Sequence, residues 1–455
     1  MISIFFETLG CRVNQIESES AARAFLDNGF SVETSSPSHN TILCIVNTCT
    51  VTSKAEQKAR RIIRLLNEKC PKACILVTGC YAELDKSEII SLGQNILVLP
   101  GTQKDNLLFL AQKLPYLLQK HQNNPVNAVK DFLISHNCEK SGKTTFALST
   151  DTFVAHSRSS VKIQDGCNNN CTFCRIHLAR GKSISLDAKE VLNRVKKLEK
   201  IGQKEVVLTG INLSQYYGKF NETFLNLSSL LKFLLENTKE INFRLSSLYP
   251  QTITEEFCNI IKNERIRPHF HLSAQSGSDK ILKLMARPYL STDIIKAVEN
   301  LRKVKNYAFI ACDIIVGFAG ETEEDFLQTL ELCKKCNFSD IHVFPFSPRP
   351  GTEGAKMKPK IPQNITKERV KTLNFLANEQ KNHFIDAMQG KIFKAIIEKR
   401  KSSIIRAVTE NFLHVHITNL KNSEYYSGEV LVKITGKSKI ANIDAQSLIL
   451  FKVVL

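Results

Sequence analysis

Three cysteines stand close together in the segment VKIQDGCNNNCTFC, at positions Cys167, Cys171 and Cys174. This spacing brings three thiolates into one small volume, whereas a closed structural zinc site takes four ligands. Thiolates also hold iron–sulfur clusters, and a [4Fe-4S] cluster with three cysteine ligands leaves one iron open to another molecule. The motif therefore predicts a site for chemistry.

Length and composition limit what surrounds this motif. A chain of 455 residues is too long for one ordinary core, so we expect two or three domains. No apolar run approaches the roughly 20 residues that cross a bilayer, and MISIFFETLGC lacks the features of a secretory signal. We therefore expect a cytoplasmic protein, in which the 14 cysteines stay reduced and clustered ones favour metal binding or catalysis.

The formal net charge of +18 has two interpretations. A polyanionic partner, most plausibly nucleic acid, would be attracted by a field of this sign. A lysine-rich surface that serves only solubility would give the same charge.

Residues 1–118 alternate between short apolar runs and helical patterns, which predicts a small α/β domain with a mainly parallel sheet. The predicted strands are Ile2–Phe6, Ile42–Val46, Ile75–Val77 and Ile96–Val98, and the predicted helices include Ile16–Asn28 and a basic one over Ser53–Glu68. Residues 119–158 are polar and aperiodic, so a linker is expected there.

Alternation resumes in residues 159–388, where six strand–helix units predict a parallel sheet curled into a partial (β/α)6 barrel. The predicted strands are Val161–Ile163, Glu205–Leu208, Asn242–Leu245, His269–Leu272, Phe309–Ile315 and Ile341–Val343, and a long charged helix over Asn364–Met388 follows them. Active sites in such folds lie at the carboxyl ends of the strands. The three-cysteine motif begins just after the first strand, at that edge.

Residues 389–455 contain several short β-rich runs with turns between them, which predicts a small β-barrel of the oligonucleotide-binding kind. Eleven Lys/Arg against five Asp/Glu follow from Lys391 onward. A basic barrel at the end of an enzyme favours contact with a nucleic-acid backbone. A dimerisation module with a lysine-rich surface is the alternative.

The sequence resembles the radical S-adenosylmethionine (SAM) methylthiotransferases over nearly its whole length. The amino-terminal domain of that family is matched by ETLGCRVNQIES, IVNTCTVT and LVTGCYAE. Its radical-SAM barrel is matched by QDGCNNNCTFC, LARGKS, HLSAQSGSDK, DIIVGFAGETEEDF and HVFPFSPRPGT. Its RNA-binding TRAM barrel is matched by AVTENFLHV and GEVLVKITG.

The resemblance implies that Cys167, Cys171 and Cys174 hold a [4Fe-4S] cluster whose open iron binds SAM, which is cleaved to a 5′-deoxyadenosyl radical. Phe173 would stack on the adenine. Further SAM contacts are expected at strand ends and in the FAGE segment, at Thr209, Gly210, Ser246, Gln275 and Gly317.

Cys11, Cys49 and Cys80 follow the first, second and third predicted strands of the amino-terminal domain. Singly, each is typical of a buried structural cysteine. Together they occupy one edge of a sheet, and the resemblance implies that they hold a second [4Fe-4S] cluster, which carries the sulfur for transfer. The other eight cysteines match no ligand of the family, and of these we expect Cys138, in the linker, to be exposed.

The resemblance implies a tRNA methylthiotransferase that acts on N6-threonylcarbamoyladenosine beside the anticodon. LTGINLSQYYG, RLSSLYPQTI and HVFPFSPRPGT favour this branch. The branch that modifies isopentenyladenosine is the runner-up, and a non-catalytic iron–sulfur protein that senses redox state and binds RNA is the alternative from another class. The sulfur donor, the electron donor and the oligomeric state stay open, with a monomer favoured.

Overall fold

The computed structural model describes residues 2–138, 146–150, 158–398, 404–419 and 428–452. Its amino-terminal part is a parallel five-stranded sheet in the order β2-β1-β3-β4-β5. The strands are β1 (Ser3–Thr8), β2 (Ser31–Glu33), β3 (Thr41–Thr48), β4 (Cys74–Gly79) and β5 (Ile96–Val98). The helices are α1 (Arg12–Asp27), α2 (Ser53–Lys69), α3 (Cys80–Leu84), α4 (Lys86–Ile90), α5 (Asn106–Lys120) and α6 (Pro125–Ser135).

Helices cover both faces of this sheet, which explains why its central strands are continuous apolar runs. Ile4 and Leu43 face a core formed with α1, α5 and α6, while Phe5 and Val46 face a core formed with α2 and α3. The side chain of Thr52 accepts a hydrogen bond from the Ala55 amide at 3.1 Å and thereby fixes the start of α2.

Helix α6 lies inside the segment that the sequence pattern assigns to a linker, so that prediction is wrong for residues 125–135. Val129, Phe132 and Leu133 recur at helical spacing and pack into the amino-terminal core. The following Cys138 is buried there with 1% exposure, which overturns the prediction of an exposed thiol. Residues 139–145 and 151–157 of the predicted linker lie outside the described residues.

The central part is a partial barrel of six parallel strands, as predicted. The six barrel strands are β6 (Ser159–Lys162), β9 (Glu205–Thr209), β12 (Asn242–Leu245), β13 (His269–Gln275), β14 (Phe309–Val316) and β15 (Asp340–Pro345). Two antiparallel pairs lie outside the barrel sheet: β7 (Gln164–Asp165) with β8 (Ile184–Ser185), and β10 (Tyr217–Phe220) with β11 (Thr223–Asn226). Parallel pairing gives β6-β9-β12 and β13-β14-β15, and bridges at Phe243–Ile266 and Leu248–Leu272 join the two halves.

The helices of the central part are α7 (Ile176–Arg180), α8 (Ala188–Lys200), α9 (Leu227–Asn237), α10 (Glu255–Ile261), α11 (Asp279–Leu284), α12 (Ser291–Val304), α13 (Glu323–Cys336), α14 (Glu353–Lys356) and α15 (Gln363–Met388). Helices α8 to α13 and α15 pack into the core of this part and cover the outside of the barrel, whereas α7 packs against α3 of the amino-terminal part. None of the helices in the described ranges is long and apolar enough to span a membrane.

The carboxy-terminal part is a closed five-stranded barrel in the order β16-β17-β18-β20-β19, which confirms the predicted fold. The strands are β16 (Ile392–Ile397), β17 (Arg406–Thr409), β18 (His414–Ile417), β19 (Glu429–Lys437) and β20 (Ala445–Lys452). Residues 399–400 and 453–455 of the predicted β-rich runs lie outside the described residues.

Ion pairs and shared cores hold the three parts against one another. At the carboxyl edge of the central barrel, Arg175 donates to Asp85 of the amino-terminal part at 2.9 Å. At the opposite end, the Arg244 guanidinium donates to the carbonyl oxygen of Thr409 at 3.2 Å. Phe309 on β14 shares a core with Phe393 of the carboxy-terminal barrel. The central barrel therefore lies between the other two parts.

Candidate active site

The first thiol group is formed by Cys167, Cys171 and Cys174, in the loop between β7 and α7. The amide of Cys174 donates to the carbonyl of Cys171 at 3.0 Å, which turns the loop back on itself. Burial, with smaller contributions from the neighbouring Cys171 and Cys167, raises the pKa of Cys174 to about 12. The structure thus brings the three predicted residues together, and we call them the barrel triad.

The guanidinium group of Arg287 contacts the barrel triad. Arg287 donates to Sγ of Cys171 at 3.1 Å and lies over the ring of Tyr249, 4.2 Å from its centre. The Asn212 amide lies 3.9 Å from Sγ of Cys167. A cation and an amide donor beside these sulfurs suit a site that holds thiolate ligands, the form in which cysteine binds metals.

The second thiol group is formed by Cys11, Cys49 and Cys80, which follow β1, β3 and β4. Because these strands are parallel neighbours, their carboxyl ends meet at one sheet edge. Gly10 has φ +101°, and a Cβ there would lie 2.6 Å from Cβ of Cys49, so glycine lets the two loops approach. Burial raises the pKa of Cys49 to about 12, with further contributions from Cys80 and Cys11. We call these residues the N-domain triad.

Arg180 connects the two triads. It belongs to α7, which directly follows the barrel triad, and its Nε lies 3.3 Å from Sγ of Cys80 in the N-domain triad. Its guanidinium also donates to Asp165 at 2.9 Å, to Asn14 at 2.6 Å and to Glu17 at 3.1 Å. One side chain therefore fixes the two thiol groups relative to each other.

The charged side chains around Arg180 are buried. Three cations, Arg180, Lys104 and Lys162, face two carboxylates, Glu17 and Asp165, and all five are at most 5% exposed. Burial raises the pKa of Glu17, but the charges of Arg180, Lys104 and Lys162 outweigh burial and hold it well below its usual value. The guanidinium of Arg180 beside Cys80 suits an anionic group at the N-domain triad.

The donor chemistry of both triads fits iron–sulfur clusters better than single ions. Thiols whose pKa is raised, such as those of Cys49 and Cys174, need a strongly cationic partner before they become thiolates. In the described part of the chain, only His271, Asp313 and His342 form a group whose ligand atoms all lie within 4.8 Å of one another. Sulfurs around one zinc lie about 4 Å apart. The sulfurs of each triad are therefore spaced more widely than the ligands of one zinc ion, which matches the larger [4Fe-4S] cluster. Each triad could hold one such cluster.

Three of the predicted SAM contacts have features of a binding site. Phe173 is half-buried against an apolar cluster that includes Met285 and Phe318. Gln275 has φ +69° at the end of β13, beside an irregularity in the strand register, and such strain in a non-glycine residue is typical of functional sites. The hydroxyl of Ser246 is buried without a hydrogen-bond partner among the described residues.

The other three predicted contacts are explained by packing. Thr209 ends β9 and is buried, and a Cβ at Gly210 would lie 2.7 Å from Oε1 of Gln164. A Cβ at Gly317 would lie 2.4 Å from Oγ1 of Thr366, so close contact with α15 requires glycine there. A contact of these residues with SAM stays a prediction.

Sequence reasoning missed Arg180 and Arg287. The LARGKS segment that carries Arg180 was matched as a motif, yet nothing in its spacing indicates a contact with Cys80, 100 residues away. Arg287 stands in MARPY, where no periodicity marks it. Buried arginines with distant partners leave no local signal.

Helix α2, which begins four residues after Cys49, carries an exposed basic face. Lys54, Lys58, Arg61 and Arg64 recur at helical spacing and are all exposed. Such a stripe is an electrostatic footprint for a polyanion. It lies beside the N-domain triad.

Two family models match the chain: the Radical SAM superfamily over residues 161–333 and the Uncharacterized protein family UPF0004 over residues 3–101. The chain is 42% identical to the threonylcarbamoyladenosine tRNA methylthiotransferase MtaB of Treponema pallidum (strain Nichols), over 92% of this chain and 95% of that protein. It is 35% identical to the MtaB of Aquifex aeolicus (strain VF5), over 91% and 96%. The tRNA-2-methylthio-N(6)-dimethylallyladenosine synthase of Ehrlichia chaffeensis (strain Arkansas) is 28% identical, over 95% and 97%.

Among solved structures, the chain is similar to the radical S-adenosylmethionine methyltransferase TsrM from Kitasatospora setae, solved with cobalamin and a [4Fe-4S] cluster bound. The TM-score is 0.51 at 13% sequence identity, over 78% of this chain and 74% of that one. At this identity the likeness shows the fold alone.

Proposed function

Because this chain belongs to the tRNA methylthiotransferases of the radical-SAM superfamily, we propose that it converts N6-threonylcarbamoyladenosine in tRNA to its 2-methylthio derivative. Its cofactors are SAM and two [4Fe-4S] clusters. The observation that carries the proposal is the pair of thiol triads, on two domains, joined through Arg180. Relatives named for enzymatic activities favour catalysis over a redox-sensing RNA-binding role.

In this proposal the barrel triad and the N-domain triad hold one cluster each. When bound, the clusters supply the electron that cleaves SAM and the sulfur that is transferred. Arg287 and Arg180 stabilise the thiolates of Cys171 and Cys80 by charge and hydrogen bonding. Because Arg180 is anchored to Asp165 of the barrel, it also keeps the sulfur-bearing triad in register with the SAM site.

The barrel residues would position SAM. We assign Phe173 to the adenine face, since a half-buried aromatic ring at the rim can stack on a purine. The unpartnered hydroxyl of Ser246 and the amide of Gln275 are donors for the methionyl or ribosyl oxygens. With these contacts, SAM would lie at the carboxyl edge of the barrel, next to the barrel triad.

The tRNA would enter through its anticodon loop, whose single-stranded bases can be inserted into a barrel without melting a duplex. The exposed basic face of α2 lies beside the N-domain triad and supports a contact with the backbone. We assign the carboxy-terminal barrel, residues 389–455, to the tRNA as well, on its eleven Lys/Arg against five Asp/Glu. Residues 1–118 and 159–388 are the sulfur-carrying and SAM-cleaving domains in this scheme.

The test is an anaerobic assay of the reconstituted protein with SAM, dithionite and two tRNAs. One carries threonylcarbamoyladenosine and the other isopentenyladenosine, and the nucleosides are analysed by mass spectrometry. We expect the 2-methylthio product from the first tRNA only. Product from the second alone would reverse the choice of branch, and absence of 5′-deoxyadenosine would overturn the proposed activity altogether.

A further inference from the structure

The interior of the central barrel holds three arginines that neither thiol triad uses. Arg12 is the first residue of α1 and directly follows Cys11, Arg158 precedes β6, and Arg244 lies in β12. The guanidinium carbons of Arg158 and Arg244 lie 5.4 Å and 5.2 Å from the centre of the Phe412 ring. Arg12 is half-buried, and α1, which it begins, packs against β6, the strand that Arg158 directly precedes.

The positive charge of this group is only partly balanced. Glu205 accepts hydrogen bonds from Arg244 at 2.7 and 2.9 Å, and it also accepts one from Arg267 at 2.9 Å. Nη1 of Arg158 and Nη1 of Arg244 are buried and have no hydrogen-bond partner among the described residues. A buried hydrogen-bond donor without an acceptor is costly, so two such guanidinium donors favour the binding of an anion.

The neighbouring His269 adds no charge, but its ring forms one side of the site. His269 stacks on Phe412 with 3.9 Å between ring centres. Burial lowers the pKa of His269 well below its usual value, and the charges of Arg244, His271, Arg158 and Arg12 lower it further. The attraction for an anion therefore comes from the arginines.

We propose that Arg12, Arg158 and Arg244 bind the carboxylate of the threonylcarbamoyl group, an assignment that rests on the proposed function. Guanidinium groups match a carboxylate in shape and charge. Arg12 directly follows Cys11, whereas Arg244 contacts Thr409 at the opposite end of the barrel, so a carboxylate held between them would lie inside the barrel, with the rest of the substituent directed toward the N-domain triad. In adenosine the N6 substituent and C2 flank the same ring nitrogen, so anchoring the substituent also positions C2 for thiomethylation. An isopentenyl group has no charge and would leave the arginines unpaired.

The first test changes the RNA and leaves the protein intact. Three anticodon stem-loops carry threonylcarbamoyladenosine, its methyl ester or unmodified adenosine, and their affinities for the cluster-loaded protein are measured anaerobically by fluorescence anisotropy. We expect the free carboxylate to bind at least about tenfold more tightly than the ester. Equal affinities would overturn the inference. If the wild type forms 2-methylthio product from the carboxylate RNA in that case, the proposed function still stands.

The second test uses Arg12→Gln and Arg158→Gln, with Arg265→Gln as the matched control. Arg265 donates to Oγ1 of Thr238 at 2.8 Å and takes no part in the arginine group. We expect the first two variants to bind the carboxylate and ester RNAs with equal affinity, at wild-type iron content, while the control keeps the preference. A uniform loss of affinity for all three RNAs would indicate phosphate binding and overturn the inference. Retained preference in both variants would overturn it too.

Discussion

Nε of Arg180 lies 3.3 Å from Sγ of Cys80, and this contact joins the helix after the barrel triad to the triad of the amino-terminal domain. The same guanidinium contacts Glu17 and Asp165, which are almost fully buried. The Arg180 side chain therefore has two roles. It holds the amino-terminal domain in register with the central barrel, and it offsets the charge of a thiolate at Cys80.

Replacing Arg180 with glutamine should therefore destabilise the protein and weaken the second cluster. It would leave Glu17 and Asp165 with less buried compensation, at a cost of about 3–5 kcal/mol in the free energy of unfolding. Thermal unfolding and iron content measure the two effects. Arg23→Gln is the control, because Arg23 and Asp27 are 44% and 52% exposed in their ion pair, and surface pairs contribute about 0–1 kcal/mol. Equal stability of the two variants would contradict the role of Arg180.

The two triads should be separable by mutation. The triple variant Cys11→Ala, Cys49→Ala, Cys80→Ala should bind about four irons in place of about eight and should still release 5′-deoxyadenosine from SAM. The triple variant of the barrel triad should lose that release. Iron determination and chromatography of the nucleoside products check both outcomes.

Cys333 and Cys336 provide the control for the triads. They form a C-x2-C pair, but both are buried in the core packing around α13. The variant Cys333→Ala, Cys336→Ala should keep the full iron content. Wild-type iron in the Cys11, Cys49, Cys80 variant would show that the second cluster is held elsewhere.

Much of the fold and the six thiols could be predicted because their signals are local or follow from topology. Each of the six barrel strands is a short apolar run between helical patterns, and each was located to within a few residues. Cys11, Cys49 and Cys80 could be grouped because parallel strands end at one edge.

The features that were missed depend on contacts between distant parts of the chain. Helix α6 carries apolar residues at helical spacing, but the polar stretches on either side of it hide this pattern, and its packing with α5 in one core buries Cys138. Arg180 and Arg287 each meet a cysteine at least 100 residues away, and a single arginine carries no sequence signal for such a partner.

The basic face of α2 should contribute to tRNA affinity. The variant Lys54→Glu, Lys58→Glu, Arg61→Glu should weaken binding of the tRNA, because it removes cations that displace counterions from phosphates. The plot of the logarithm of the binding constant against the logarithm of salt concentration has a negative slope. Its magnitude should decrease by about two units if all three residues contact the backbone. Binding titrations at several salt concentrations measure this slope.

A second charge-reversal variant separates this contact from overall charge. Lys196, Lys197 and Lys200 are exposed on α8, on the outside of the central barrel. Changing all three to glutamate alters the net charge by the same amount but should leave the salt slope almost unchanged. Equal losses in the two variants would show that tRNA responds to net charge alone.

Glu205 should make the protein sensitive to acid. Burial raises its pKa, but the charges and hydrogen bonds of Arg244 and Arg267 outweigh burial and lower the pKa from 4.5 to about 2. A carboxyl with a lowered pKa contributes stability that is present above pH 4.5 and lost as the pH falls toward 2. About 2 kcal/mol of the free energy of unfolding should be lost between pH 6 and pH 3 through this group.

Glu205→Gln should remove this acid sensitivity and lower the stability at neutral pH. Two buried guanidiniums would then lack their shared carboxylate, at a cost of about 3–5 kcal/mol. Urea unfolding of the metal-free protein at pH 6 and pH 3 measures both effects. Glu240→Gln is the matched control, since Glu240 is 67% exposed in its pair with Lys204 and should change neither quantity. If Glu205→Gln lost as much stability between these pH values as the wild type, another carboxyl would have to carry the acid response.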